Sequence, residues 1–96
     1  MAPPIDQIEY VESAVRVTRG RPEQWEGRLV TGEYFHFRYR FGRATLGISA
    51  ESPDAAIMDT SEASLAFGDF WEGEFLSDEV RTSVFRLLLF EKLAHL

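Results

Sequence analysis

The stretch Glu33–Phe41 alternates without a break, with Phe35, Phe37, Tyr39 and Phe41 on one side and His36, Arg38 and Arg40 on the other. Side chains of a β-strand point to opposite faces with a period of two, so this pattern specifies a half-buried strand that turns an aromatic face to a core and a basic face away from it. A Gly42-Arg43 turn with glycine first pairs Tyr39 with Leu46, Phe37 with Ile48 and Phe35 with Ala50, and keeps the apolar residues together. On the other flank, a two-residue Thr31-Gly32 loop would put Trp25 and Leu29 on the arginine face and Glu26 and Arg28 on the aromatic one. An odd loop, Val30-Thr31-Gly32 with glycine in the left-handed position, pairs Trp25 with Phe37, Glu26 with His36 and Gly27 with Phe35, which restores the pattern. Residues 25–50 are therefore expected to form a β-meander.

The flanking segments complete the expected architecture. Pro3-Pro4 opens a helix, Asp6 and Glu9 suit its positive end, Arg16 and Arg19 its negative end, and Gly20 with Pro22 stops it, so that Ile5, Ile8, Val11 and Val15 share a face. The rival is a strand over Val11–Thr18, where Val11, Ser13, Val15 and Val17 alternate; the helix, with an extended end, is the reading adopted. Ser52-Pro53-Asp54 predicts a short helix over about 53–58, 63–67 a fourth, edge strand, and Ser77 followed by Asp78 and Glu79 a helix running to about His95. The expected fold is α+β: an N-terminal helix, a three- to four-stranded antiparallel β-meander, and a C-terminal helix packed on the aromatic face of the sheet.

Composition narrows the class. A chain of 96 residues, 45% of them apolar, has material for one core and is expected to be one domain. There is no cysteine, which excludes disulfides, thiolate chemistry and cysteine-ligated zinc. The longest apolar run, Leu87–Phe90, falls far short of the ~20 residues that cross a bilayer, and Met1-Ala2-Pro3-Pro4 lacks a signal-peptide pattern, so no membrane role and a cytoplasmic location are expected. The net charge of −6 is segregated: residues 16–43 carry seven arginines against three glutamates, while residues 51–80 carry nine carboxylates and no basic residue.

Motifs for catalysis are missing. His36 would need a carboxylate and a nucleophile or water pocket, and the proposed register brings it only Glu26, a combination typical of surface ion pairs. Asp69, Glu72, Glu74, Asp78 and Glu79 do not follow the calcium-loop order, and no phosphate loop, nucleophile elbow or zinc helix is present. A non-enzyme without metal or cofactor is expected. Arg28, His36, Arg38 and Arg40, with Tyr34, form the candidate phosphate-binding face of an alternative nucleic-acid-binding module. Against it, the strand's aromatics lie on the opposite face, and the net charge of −6 opposes a polyanion.

Two places suit a protein partner. Asp69, Phe70, Trp71, Glu72, Glu74 and Phe75 combine large rings with acid in a segment of weak periodicity, as in an exposed recognition loop or a loop turned to the core. The acidic segment can equally fold back on the arginine face and satisfy it. In the last helix Val80, Val84, Leu87 and Leu88 make one stripe, whereas Phe85, Leu89, Phe90 and Leu93 fall on other sides. Such an apolar excess is either buried against the sheet and N-terminal helix of its own domain or shared with another chain, and self-association as a homodimer is the reading adopted. Residues 32–47, Gly32-Glu33-Tyr34-Phe35-His36-Phe37-Arg38-Tyr39-Arg40-Phe41-Gly42-Arg43-Ala44-Thr45-Leu46-Gly47, resemble a segment of small uncharacterised accessory proteins of actinobacterial phages. That resemblance implies a small accessory protein that binds a host or phage protein and carries no catalytic motif. The expected function is a regulatory or inhibitory protein-binding protein.

Overall fold

The computed structural model describes residues 4–59, 63–69 and 71–94. Within them, strands β1 (Val11–Arg16), β2 (Glu23–Leu29), β3 (Tyr34–Arg40), β4 (Arg43–Ser49) and β5 (Ala63–Ala66) form an antiparallel sheet in sequence order. A short helix, α1 (Pro53–Ile57), lies between β4 and β5, and the long helix α2 (Asp78–Ala94) follows β5. The α+β class, the predicted edge strand and both C-terminal helix starts are as expected. Ser52 Oγ accepts from Ala55 N (3.0 Å) and Ser77 Oγ from Val80 N (3.2 Å), each hydroxyl satisfying a donor that the first helical turn leaves open. The expected end of α2 at His95 lies outside the described residues.

The first hairpin has the register that parity demanded, with Trp25 opposite Phe37, Glu26 opposite His36 and Gly27 opposite Phe35. Its loop is odd, and Gly32 sits at φ +98° with its N–H donating to Leu29 O (2.9 Å). The second hairpin corrects the expectation by two residues: Tyr39 pairs with Ala44, Phe37 with Leu46 and Phe35 with Ile48. The turn is Phe41-Gly42, both at positive φ (54° and 73°), the mirror-image type whose twist matches the flanking strands. A shift of two preserves every face, so alternation could not distinguish the registers. Phe41 consequently leaves the strand and stands in the turn, 57% exposed.

The N-terminal helix is also corrected. Only Ile5–Gln7 forms a single 3-10 turn, and the rival strand reading holds, since β1 pairs with β2 from Val11 opposite Leu29 to Arg16 opposite Trp25. Without β1, the edge of β2 would expose a row of unpaired backbone groups, and pairing it outweighs the local helix signals. Ile5, Ile8 and Val11 still reach the core, by way of the turn and the strand start.

The core fills the space between the aromatic sheet face and α2. Phe85 lies with its ring centroid 5.2 Å from those of both Phe35 and Phe37, in tilted and edge-on arrangements. The buried arc of α2 contains Val84, Phe85, Leu88 and Leu89, and Leu87 faces solvent. Phe85 and Leu89, expected among the self-association residues, are thus core residues of the chain itself. Phe35, Phe37 and Tyr39 need a cover, and Phe85 is a residue of α2 that meets two of them.

The opposite sheet face is covered in part by α1. Ala56 is buried there, and Gly47 has no room for a Cβ because the carbonyl of Ala56 occupies it. His36, beside Gly47 in the sheet, is only 6% exposed as a result. Beyond α1, Asp59 accepts from Ile48 N (3.0 Å) and from Lys92 Nζ (2.8 Å), tying β4, the α1 segment and α2 at one edge.

Candidate partner-binding surface

After β5 the chain returns across the end of the aromatic face before entering α2. Phe75 is its anchor: the ring stacks on Tyr39 (centroids 4.4 Å, 18°) and on Phe37 (5.6 Å, 11°), and its N–H donates to Glu23 Oε1 (3.0 Å). Backbone bonds hold the rest, Glu23 N to Gly73 O (2.7 Å) and Gly42 N to Glu72 O (2.8 Å). Gly42 O in turn accepts from Phe67 N (2.8 Å) and Gly68 N (3.0 Å), and a Cβ at Gly42 would strike the carbonyl of Gly68. The turn glycine therefore serves twice, allowing the mirror-image turn and letting the returning chain lie on it.

Beneath the anchor is a buried ion pair. Glu23, 1% exposed, meets Arg81 of α2 through both carboxylate oxygens, Oε2 against Nε and Oε1 against Nη2 (3.2 Å). Trp25 Nε1 also donates to Glu23 Oε2 (2.7 Å), and Arg81 Nη1 reaches Asp78 Oδ1 (2.6 Å). Burial alone would push the Glu23 carboxyl up, but the donors from Arg81, Trp25 and Phe75 outweigh it and hold it below the ordinary 4.5. Burial likewise disfavours the Arg81 cation, and the contacts with Glu23 and Asp78 reverse that, raising its value. Tyr39 OH donates to Glu72 Oε2 (3.1 Å); burial, with the Glu72 carboxylate and Asp69, pushes the phenol up to about 12. Each of these groups is satisfied, which marks them as supports rather than reactants.

The anchors leave two large apolar side chains outside, with Asp69 and Glu74 exposed beside them. Trp71 is 70% and Leu76 96% exposed, on either side of the inward-turned Glu72, Gly73 and Phe75. A groove of about 320 Å3 runs between Trp71, Phe41, Pro22 and the side chains of Arg21 and Arg40. Arg21 Nη1 donates to Trp71 O (3.2 Å), and the Arg40 guanidinium lies 5.0 Å from the centre of the Phe41 ring. A second groove of about 270 Å3, which shares Arg21, Trp71, Glu72 and Gly73 with the first, passes over Phe67, Leu76 and Val80. Trp71 is thus a ridge shared by two grooves, carried on a loop bonded to the sheet.

Comparison with known proteins finds no matching family model, no matching curated protein and no matching solved structure. Function is read from this geometry.

The predicted site residues divide. Trp71 and the exposed Asp69 and Glu74 belong to the surface, Glu72 lines both grooves while its carboxylate bonds Tyr39, and Phe75 is a core residue, a correction to its expected role as a partner contact. Phe70 lies outside the described residues. Phe90 and Leu93 are exposed on α2, away from the buried Phe85 and Leu89. The phosphate-binding set does not form one platform: Arg28 donates to Gly32 O (3.2 Å) and lies over Tyr34, Arg40 turns to Phe41, and α1 encloses His36. His36 Nε2 meets Gln24 Oε1 (3.1 Å), although the register does place Glu26 beside it. Burial, then the Arg38 charge, lowers the imidazole below 6.5.

The described part of the acidic segment does not neutralise that face. Among the described residues, Asp59 pairs with Lys92, Glu74 with Arg16 (2.7 Å) and Asp78 with Arg81, and no carboxylate pairs with Arg28, Arg38 or Arg40. Sequence reasoning missed Arg21, Pro22, Phe41 and Leu76. Phe41 could have been found by testing Phe41-Gly42 as a mirror-image turn; nothing local marks Leu76, whose exposure follows from Phe75 being the residue drawn inward.

Proposed function

We propose that the chain is a non-enzymatic protein-binding protein that docks through the Trp71 ridge and its two grooves. The observation that carries this reading is a tryptophan 70% exposed on a loop that is otherwise bonded down at Glu72, Gly73 and Phe75. Exposed large rings on a rigid support bind with little ordering cost, and tryptophan and arginine are the side chains that most often dominate protein interfaces. The partner segment has an apolar side chain for the groove wall of Trp71, Phe41 and Pro22, and a carboxylate for Arg21 or Arg40 at its rim. The likeness of residues 32–47 to phage accessory proteins makes a host protein the first partner class to test, with inhibition or recruitment as the outcome.

Against an active-site reading, His36 is enclosed with a neutral amide as its ring partner, and no group of three metal-ligating side chains occurs among the described residues. No helix among them is long and apolar enough to cross a membrane. The test compares proteins retained by the wild type with those retained by Trp71→Ala, with thermal unfolding measured on both. A partner held by the wild type and lost by an equally stable variant supports the reading; an unchanged set of retained proteins refutes it.

Nucleic acid is the second reading, favoured by the placement of Phe41 and Trp71 beside Arg40 and Arg21, since single-strand binders interleave rings with guanidinium groups. Carboxylates Asp69, Glu72 and Glu74 on the same loop oppose a polyanion. Binding to a single-stranded oligonucleotide that falls steeply with salt and is lost in Arg38→Ala/Arg40→Ala would establish it instead.

A further inference from the structure

The outward side of α2 has its own apolar arc. Leu87 and Phe90 are 60% and 57% exposed, Leu93 and Ala94 lie beside them, and Tyr10 meets only the edge of the Phe90 ring (6.3 Å, 74°). At 100° per residue the axis of this arc is a two-position seam, Val80, Leu87 and Ala94 on one row and Ser83 and Phe90 on the other, spaced as the a and d positions of a heptad. Arg86 then precedes the Leu87 row and Glu91 follows the Phe90 row, on opposite flanks of the seam.

Those two charges are five residues apart. Within one helix only side chains three or four apart face each other, so Arg86 and Glu91 cannot pair in their own chain, and among the described residues neither makes an ion pair. Five residues is, however, the separation between a g position and the e position that faces it on a parallel partner helix. The opposite signs at this spacing complement a second copy of the same helix, which would meet Glu91 with Arg86 on one flank and Arg86 with Glu91 on the other.

We propose that the chain forms a parallel two-fold dimer through α2, with Leu87 against Leu87 and Phe90 against Phe90 of the second copy, and Arg86 paired with Glu91 across the seam twice. Leu87 and Phe90 line neither groove beside Trp71, and Val80, at the N-terminal end of the seam, is the residue shared with the second groove, so the dimer presents two copies of Trp71 and leaves the first groove of each free. An antiparallel pair would instead bring g positions to g positions and e to e, placing Arg86 and Glu91 away from each other. The seam is short, and its strength comes from two apolar layers and two symmetric charge pairs, which predicts an equilibrium that dilution shifts rather than a permanent dimer.

Two measurements decide it. Light scattering across the micromolar range should show a concentration-dependent dimer. Arg86→Glu or Glu91→Arg alone converts both pairs to like-charge contacts and should weaken it about tenfold, while the double exchange Arg86→Glu/Glu91→Arg should restore it. Because the chain has no cysteine, Ser83→Cys introduces a single thiol on an exposed seam position, and mild oxidation should yield a disulfide-linked dimer, since only the parallel arrangement brings this residue against itself. A monomer at every concentration, a dimer indifferent to the charge exchange, or a Ser83→Cys dimer that does not cross-link would each overturn the proposal. Trp71→Ala should leave the dimer intact, so failure here is distinguishable from failure of the docking surface.

Discussion

Replacing Arg81 with methionine tests what holds the docking loop in place. The substitution keeps the aliphatic stem but removes both guanidinium contacts to Glu23, the bond to Asp78 and the stacking over Trp25 (5.4 Å) and Phe75 (6.0 Å). Breaking a buried pair from one side costs about 3–5 kcal/mol because the remaining charge is left uncompensated. Here Glu23 retains the donors Trp25 Nε1 and Phe75 N, which argues for the lower end, about 3 kcal/mol out of the roughly 5–15 kcal/mol that a domain possesses. Adding Glu23→Gln removes the orphaned charge while its amide oxygen still accepts from one of those donors, so the double variant should recover about 1–2 kcal/mol. Urea unfolding at pH 7 in a Trp71→Phe background makes Trp25 the sole tryptophan reporter, placed at the pair itself. Glu23 is held below 4.5, so its contribution is present above that pH and disappears as pH falls through its folded value. The gap between wild type and Arg81→Met should therefore narrow on acidification. A loss below about 1 kcal/mol, or a double variant no better than the single, would refute the idea that this pair carries the loop.

His36 gives a second pH signature. Its folded value lies below 6.5, so the unfolded chain binds the proton first, and stability should be full above that pH and decline as pH falls from it. His36→Gln should flatten the decline, and an unchanged slope would count against the enclosed imidazole. Phe41, at φ 54°, holds a backbone conformation that costs a bulky residue about 1 kcal/mol, so Phe41→Asn should raise the unfolding temperature while weakening partner capture through loss of the groove wall. A variant that is less stable, or that binds as well as the wild type, would contradict one or the other half of that account.

Several features were legible before any coordinates. The error-free alternation of β3 identified its two faces, and parity then required the odd Val30-Thr31-Gly32 loop, because a two-residue loop would have exposed Trp25 and Leu29. Ser52 and Ser77 announced both helix starts through the donors they accept from. The separation of the apolar residues of α2 into a stripe and an excess was also readable, although periodicity could not say which residues form which. It assigned Leu87 inward and Phe85 outward, and the reverse is found.

Local signals determined the period of each element; long-range contacts decided everything that periods leave degenerate. Val11 and Val15 fit a helix and a strand alike, and the open edge of β2 selected the strand. Registers differing by two are equivalent to alternation, and the mirror-image turn at Phe41-Gly42, with Glu72 bonded to its N–H, selected one. Glu23, unremarkable as a residue in a strand, became the buried partner of an arginine 58 positions away because Trp25, Phe75 and Arg81 converge on it. The candidate site has the same origin: sequence supplied an aromatic and acidic segment, but whether Phe75 or Trp71 faced outward depended on which ring could stack on Tyr39. A side chain's type is local, whereas its exposure is set by the neighbours that compete to cover it.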